Sequence, residues 1–177
     1  MTLIGVIGIA VIILIMFNRN MMMKVVSPTN PMIQKLKKWA LFENPWRSGF
    51  LLFGCNLFLF TSISGLLYMQ MLFLLPYIHI VIMLLGVLTS LYCWLVLFHC
   101  YYGPEKGRLI MGTIGSGFYL ILLILCIYRL LTLTPNFPGD DTFMAAVGIV
   151  FGIIVTITAC VCCFIFTGVP RRKSINN

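Results

Sequence analysis

The sequence is poor in charged residues. Of 177 residues only 12 are Lys or Arg and 4 are Asp or Glu, while 61% are hydrophobic. A globule of this length needs more charge to cover its surface, so the composition excludes a soluble domain. It also excludes an intrinsically disordered chain and a nucleic-acid-binding domain, leaving no nucleic-acid partner to expect. We therefore expect an all-α, polytopic integral membrane protein.

No acidic residue lies in an apolar stretch long enough to cross a bilayer. The four acids are Glu43, Glu105, Asp140 and Asp141, and all fall between or beside such stretches. Transporters that couple to protons or sodium usually keep a carboxylate inside the membrane. The sequence therefore argues against an ion-coupled transporter.

Five apolar stretches approach the ~20 residues that a membrane crossing needs, so we predict five transmembrane helices. Residues 1–18 form the first; a signal peptide is the alternative, but no Lys or Arg precedes the stretch and no cleavage site follows Phe17. The other four, within residues 49–168, are Phe50–Met71, Tyr77–Tyr101, Leu109–Leu131 and Phe143–Phe166. The chain must reverse near Gln70–Tyr77, because Pro76 suits the first turn of a new helix.

Two basic segments flank these stretches: a loop at residues 19–48 and a tail at residues 169–177. Within the loop, Pro31–Glu43 predicts a short amphipathic helix, with Asn30 as its N-cap and an apolar face. Basic side chains of both segments are predicted to bind anionic lipid headgroups of the inner leaflet, namely Lys35, Lys37, Lys38, Arg171, Arg172 and Lys173. Ordinary anchoring, docking of a partner and regulatory lipid sensing remain open for the helix.

Basic residues alternate along the chain in a way that sets its orientation. Apart from Arg129, every Lys and Arg falls in the first loop, in the third loop with Lys106 and Arg108, or in the tail. Basic residues of short loops stay on the cytoplasmic side. We predict a multi-pass protein of the plasma membrane with its N-terminus outside and its C-terminus in the cytoplasm.

Small residues recur at four-residue spacing in three of the predicted spans. Such stripes let helix backbones approach closely and so predict helix-to-helix contact. The residues concerned are Gly86 and Ser90, Gly112 and Ser116, and Gly148, Gly152 and Thr156. The sequence leaves open whether these contacts lie within the chain or join it to another subunit.

Residues that carry chemistry are few. All seven cysteines lie in predicted spans, at spacings that match no defined zinc or copper motif, and S-acylation or a soft-metal site remain alternatives to plain packing. No nucleophile, base and orienting group stand at recognisable spacing, so we predict no catalytic residue and no cofactor. Thr61, Ser64 and Gln70 are polar side chains of one span and could line a solute path.

These features favour a non-enzymatic membrane protein that works by helix packing, as an accessory subunit, assembly factor or immunity-type protein. A membrane-protein partner or a homo-oligomer is then expected. The alternative is a transporter or channel for a small neutral or hydrophobic solute, lined by the three polar residues named above.

Overall fold

The computed structural model describes residues 31–37, 42–73, 77–135 and 142–169. These residues form helices and connecting turns, without a strand among them. The helices are α1 Pro31–Lys37, α2 Pro45–Leu72, α3 Ile78–Cys100, α4 Glu105–Leu131 and α5 Thr142–Gly168. The predicted helix over residues 1–18, Lys38 and the three basic residues of the tail lie outside the described residues.

Four of the described helices, α2 to α5, are long and apolar enough to cross a membrane. They have 23 to 28 residues, and at ~1.5 Å per residue each exceeds the ~30 Å hydrocarbon core. The prediction of an all-helical multi-pass membrane protein is confirmed: four of the five predicted spans correspond to described helices that could cross a membrane, and the first, residues 1–18, lies outside the described residues.

Three of these helices, α2, α4 and α5, extend beyond the predicted apolar stretches. α2 begins at Pro45, five residues before the predicted Phe50, because Asn44 caps it: the backbone N–H of Trp46 donates to Asn44 Oδ1 at 3.1 Å. Pro45 occupies the first turn, where a missing N–H costs nothing. The predicted reversal between the second and third spans is confirmed, since α2 ends at Leu72 and α3 begins after Tyr77. Tyr77 has a left-handed φ of 65°.

The four spanning helices form a ring. α2 packs against α3 and α4, and α5 packs against α4 and α3, with α4 and α5 sharing the most extensive interface. Helices that follow one another along the chain run antiparallel, whereas the contacts of Leu52 with Gly115 and of Asn56 with Tyr119 show that α2 and α4 run parallel, so the N-terminal ends of α2 and α4 lie beside the C-terminal ends of α3 and α5. Each helix therefore contributes one end to each side of the membrane.

The buried residues of the four spanning helices are concentrated at one end of the bundle. We call residues 45–56, 94–101, 107–118 and 156–168 the closed half, because with the exception of Gly86 all buried residues of the four spanning helices lie there. The rest of α2 to α5 is the open half, whose large apolar side chains are mostly exposed: Leu131 is 80% and Phe143 68% exposed. The bundle is thus tightly packed at one end and loosely packed at the other.

α1 lies at the closed half and packs on α3. It begins at Pro31, the predicted first residue, and Ile33 is 1% exposed. The ammonium of Lys37 lies 5.1 Å from the ring centroid of Tyr102, just beyond the end of α3. The apolar side of this helix therefore rests partly on protein, while Lys35 is exposed.

Candidate functional site

One buried amide connects all four spanning helices. Asn56 of α2 is 1% exposed and accepts a hydrogen bond at its Oδ1 from Trp94 Nε1 of α3, at 2.8 Å. Its Nδ2 donates to the backbone oxygen of Gly115 in α4 at 3.1 Å and lies 3.6 Å from Cys163 Sγ in α5. The hydroxyl of Tyr119 in α4 makes a longer contact with Oδ1, 3.4 Å. We call these five residues the Asn56 network.

Aromatic rings pack beside the Asn56 network, whose amide is buried. The indole of Trp94 meets the ring of Tyr119 edge-on, with 6.2 Å between centroids. Phe118 packs edge-on against Tyr119 at 5.2 Å and against Phe53 at 5.6 Å. Edge-to-face pairs at such distances are favourable. In this apolar setting an unpaired amide would be costly, so the four helices are held where the amide finds its partners.

The Asn56 network consists of uncharged hydrogen-bonding groups that join four helices. An amide, an indole and a phenol donate and accept hydrogen bonds at neutral pH without gaining or losing a proton. Interhelical hydrogen bonds of this kind in membranes contribute about 0.6 kcal/mol each, and at most ~1.7. The arrangement fixes the mutual position of four helices and is suited to holding a shape.

Two glycines allow close backbone contact in the closed half. A Cβ placed on Gly112 would lie 2.6 Å from the Cα of Gly168, so α4 and α5 touch backbone to backbone. A Cβ on Gly115 would overlap the side chain of Leu52, which fills that notch from α2 and is fully buried. Larger residues at either position would force the helices apart.

The predicted small-residue stripes divide into two groups. Gly86 is buried under Ile63, and Gly112 and Ser116 are buried in the interface of α4 with its neighbours. The hydroxyls of the stripes bond to their own helices: Ser90 to Gly86, Ser116 to Thr113 and Thr156 to Gly152. These positions form contacts within the chain.

The literal GxxxG pair of α5 behaves differently. A Cβ on Gly148 would meet nothing within 4 Å, and one on Gly152 would meet only Cys126 Sγ, at 3.7 Å. Gly148 is exposed and Gly152 half-buried. The best-defined stripe of the sequence therefore faces largely away from the described part of the chain.

The three predicted solute-lining residues are dispersed along α2. The hydroxyl of Thr61 donates to the carbonyl of Leu57 on its own helix, at 2.8 Å, and is exposed. Ser64 is exposed as well, and Gln70 is half-buried. The Thr61 hydroxyl is thus satisfied by its own backbone, as hydroxyls in membrane helices commonly are.

Cysteines line the interior without forming a recognisable metal centre. All seven are free thiols, and Cys100, Cys162 and Cys163 are buried. Within the described residues no group of three or more His, Cys, Asp or Glu side chains is placed to hold a metal ion. The hydrogen bonds of the thiols join helices: Cys163 accepts from Asn56, Cys160 donates to the Ser116 carbonyl at 3.8 Å, and the thiols of Cys55 and Cys93 bond to each other.

A basic and aromatic cluster closes the end of the bundle. The guanidinium of Arg108 stacks on Phe98 at 4.5 Å and lies 5.8 Å from the ring of Tyr101. The ring of Tyr101 is 2% exposed and packs against Gly103 and Gly107. Among the described residues its hydroxyl has no hydrogen-bond partner. Burial raises the pKa of this phenol, and the nearby charge of Arg108 opposes the rise.

Sequence reasoning missed Asn56, the residue on which the site is centred. The available signal was an amide in the middle of the charge-free run from Ser48 to Pro104, where a polar side chain needs partners on neighbouring helices. Comparisons with protein-family models, curated proteins and solved structures find no match to this chain.

Proposed function

We propose that this chain is a non-enzymatic integral membrane protein that acts by packing against another membrane protein, as an accessory subunit, assembly factor or immunity-type protein. The observation that carries the proposal is the open GxxxG surface of α5, formed by Gly148 and Gly152, on a bundle whose other glycine stripes are already occupied. A partner helix would be the matching occupant, because small residues allow a second backbone to approach closely.

The contrast between the halves of the bundle supports this proposal. In the closed half, the notch at Gly115 is filled by Leu52 and that at Gly112 by Gly168. In the open half, a Cβ on Gly148 would meet no atom of the described residues within 4 Å. Helices in lipid gain little from apolar burial alone, so association depends on close packing and on polar contacts. The α5 surface would allow a second helix to make the kind of close contact that the glycines of the closed half make within the chain.

Orientation and location belong to the same proposal. The described ends of the closed half carry Lys37, Arg47, Lys106 and Arg108, and the opposite end carries Arg129. The positive-inside rule then places the closed half in the cytoplasmic leaflet of the plasma membrane, with the open half in the outer leaflet. The predicted contacts of Lys35 and the tail with anionic lipid follow from this placement.

The proposal is tested by co-purification in mild detergent followed by mass spectrometry of the proteins recovered in stoichiometric amount. Gly148→Leu with Gly152→Leu is expected to remove the partner, whether a second copy or another protein, while insertion and thermal stability stay unchanged. A matched control is Gly65→Leu, since Gly65 is also exposed and meets nothing within 4 Å. Gly112→Leu is the contrasting variant and is expected to lower thermal stability as well, because Gly168 leaves no room.

Three outcomes would contradict the proposal. One is an intact partner in the double α5 variant. Another is a partner lost equally from Gly65→Leu, which would mean that any bulky residue in the open half has this effect. A wild-type protein recovered as a homogeneous monomer with no partner would also count against it.

A further inference from the structure

An apolar groove runs along the outside of the bundle between α2 and α3. Its volume is about 320 Å³, and it is open along one side. Its walls are formed on one side by α2 and on the other by α3, with Leu51, Cys55, Leu59, Thr89, Cys93 and Leu97 among the lining residues. No described residue covers its open side, which runs along two helices long and apolar enough to cross a membrane.

The groove has a floor at the closed end of the bundle. Leu36 of α1 and Phe42, which precedes α2, both line it, and Phe42 is 1% exposed. A hydrocarbon chain lying in the groove would therefore be covered at this end by protein, where α1 rests on α3. The floor distinguishes this groove from the ordinary furrow between two helices.

Cationic side chains stand at the same end. Lys37 follows Leu36 directly and is held over the ring of Tyr102, five residues beyond Leu97 of the α3 wall. Arg47 is exposed and precedes Leu51 of the α2 wall by four residues, which places it on the same face one turn nearer the membrane surface. The groove is thus lined by apolar side chains and has two cations, Lys37 and Arg47, near its closed end.

The charge at this end is positive overall. Glu43, beside Phe42, is an exposed acid at the same level, and the exposed Lys35 adds a third cation. With Lys106, Arg108 and Glu105 at the start of α4, the described residues of this end include five cations and two acids. This balance favours an anionic headgroup, as does the N-terminal end of α2, whose helix dipole is positive there. Zwitterionic lipid would gain much less from the same groups.

We propose that this groove is a binding site for one anionic phospholipid, with an acyl chain between α2 and α3 and its phosphate near Lys37 and Arg47. The site is independent of the α5 surface proposed for a partner. A measurement of lipid binding can therefore succeed or fail whatever the outcome of the co-purification experiment.

The test is native mass spectrometry of the detergent-purified full chain, incubated with phosphatidylglycerol or with phosphatidylcholine of the same acyl chains. We expect one tightly retained phosphatidylglycerol and a preference of about tenfold over phosphatidylcholine, as one to two nearby cations provide. Lys37→Gln with Arg47→Gln is expected to reduce this preference to about twofold or less, while chain binding persists.

Groove-filling variants test the position of the acyl chain. Thr89→Trp places a large side chain in the groove from an exposed position and is expected to remove the retained lipid. Leu88→Trp is the matched control, because Leu88 is exposed on the same helix and is not part of the lining. Leu59→Trp repeats the test from the α2 wall, so that a folding defect in one variant does not decide the result.

Several results would overturn the proposal. Equal retention of phosphatidylglycerol and phosphatidylcholine by the wild type would remove the headgroup site. Unchanged retention in a folded Thr89→Trp or Leu59→Trp variant would remove the groove. Equal loss in Leu88→Trp would show that the lipid is bound by the general surface of the bundle.

Discussion

Replacing Asn56 tests whether the buried amide holds the closed half together. Asn56→Leu keeps the branched shape and the number of side-chain heavy atoms and removes the hydrogen bonds, so it leaves no cavity. The change leaves Trp94 Nε1, 2.8 Å from Oδ1, and the Gly115 carbonyl, 3.1 Å from Nδ2, without this partner. A buried group stranded in this way costs about 1–3 kcal/mol.

In a membrane the free-energy cost of such a stranded group is lower, because polar groups of the unfolded but inserted chain also find hydrogen-bond partners. Taking about 0.6–1.5 kcal/mol for each of the two good contacts, we expect Asn56→Leu to lower the free energy of unfolding by about 1–3 kcal/mol. Trp94→Phe removes only the donor and should cost about 1 kcal/mol. The loss of unfolding free energy in the double variant should be smaller than the sum of the two single losses by at least ~0.5 kcal/mol. The reason is that the indole N–H, which Asn56→Leu alone leaves stranded, is then absent.

The assay is reversible unfolding in mixed micelles with increasing SDS, followed by the ellipticity of the helices. Thr61→Ala is the matched control on the same helix, because that hydroxyl bonds to its own backbone and is exposed. It should change the free energy of unfolding by less than about 0.5 kcal/mol. Two results would refute the conclusion that the Asn56 network holds the four helices together. One is an Asn56→Leu variant as stable as this control, and the other is strict additivity of the stability losses of Asn56→Leu and Trp94→Phe.

Two further predictions concern the cluster at the closed end and the orientation of the chain. Tyr101→Phe should leave thermal stability unchanged or raise it, because the buried hydroxyl has no partner among the described residues. Since the pKa of this phenol is raised in the folded state, the wild type should lose stability above the ordinary tyrosine pKa of about 10. Tyr101→Phe should lose less over that range in melts at pH 8 and 11, and equal losses would count against burial as the cause. Asp140→Cys should react with a membrane-impermeant maleimide in intact cells, and protection until permeabilisation would reverse the proposed orientation.

The spans could be predicted because their signal is length and apolarity alone. α3 was expected over Tyr77–Tyr101 and is found over Ile78–Cys100. The start of α2 was missed because the span was predicted from its uncharged stretch, which begins after Arg47, whereas Asn44 and Pro45 form the cap and first turn of the helix. The same pairing of an N-cap Asn with Pro was used to predict the start of α1 at Pro31.

The packing within the ring could be predicted only in part. Spacing identified Gly112 and Ser116, which are buried, but it gave equal weight to Gly148, which is exposed. A four-residue spacing places two small residues on one face, and nothing in the spacing says what that face meets. Gly115, which receives Leu52, lies outside the predicted stripe and was not singled out.

The two halves of the bundle divide the work of the molecule. The closed half contains the directional contacts, namely the Asn56 network and the backbone contact at Gly112, and these have a single good arrangement. The open half has mainly apolar side chains, which gain as much from lipid as from each other. The contacts of the closed half therefore determine where the helices of the open half lie.

It follows that Asn56→Leu should reduce both stability and partner binding, although Asn56 lies far inside the bundle. Gly148→Leu with Gly152→Leu should reduce partner binding alone. Partner binding that survives the loss of the Asn56 network would mean that the α5 surface needs no support from the closed half.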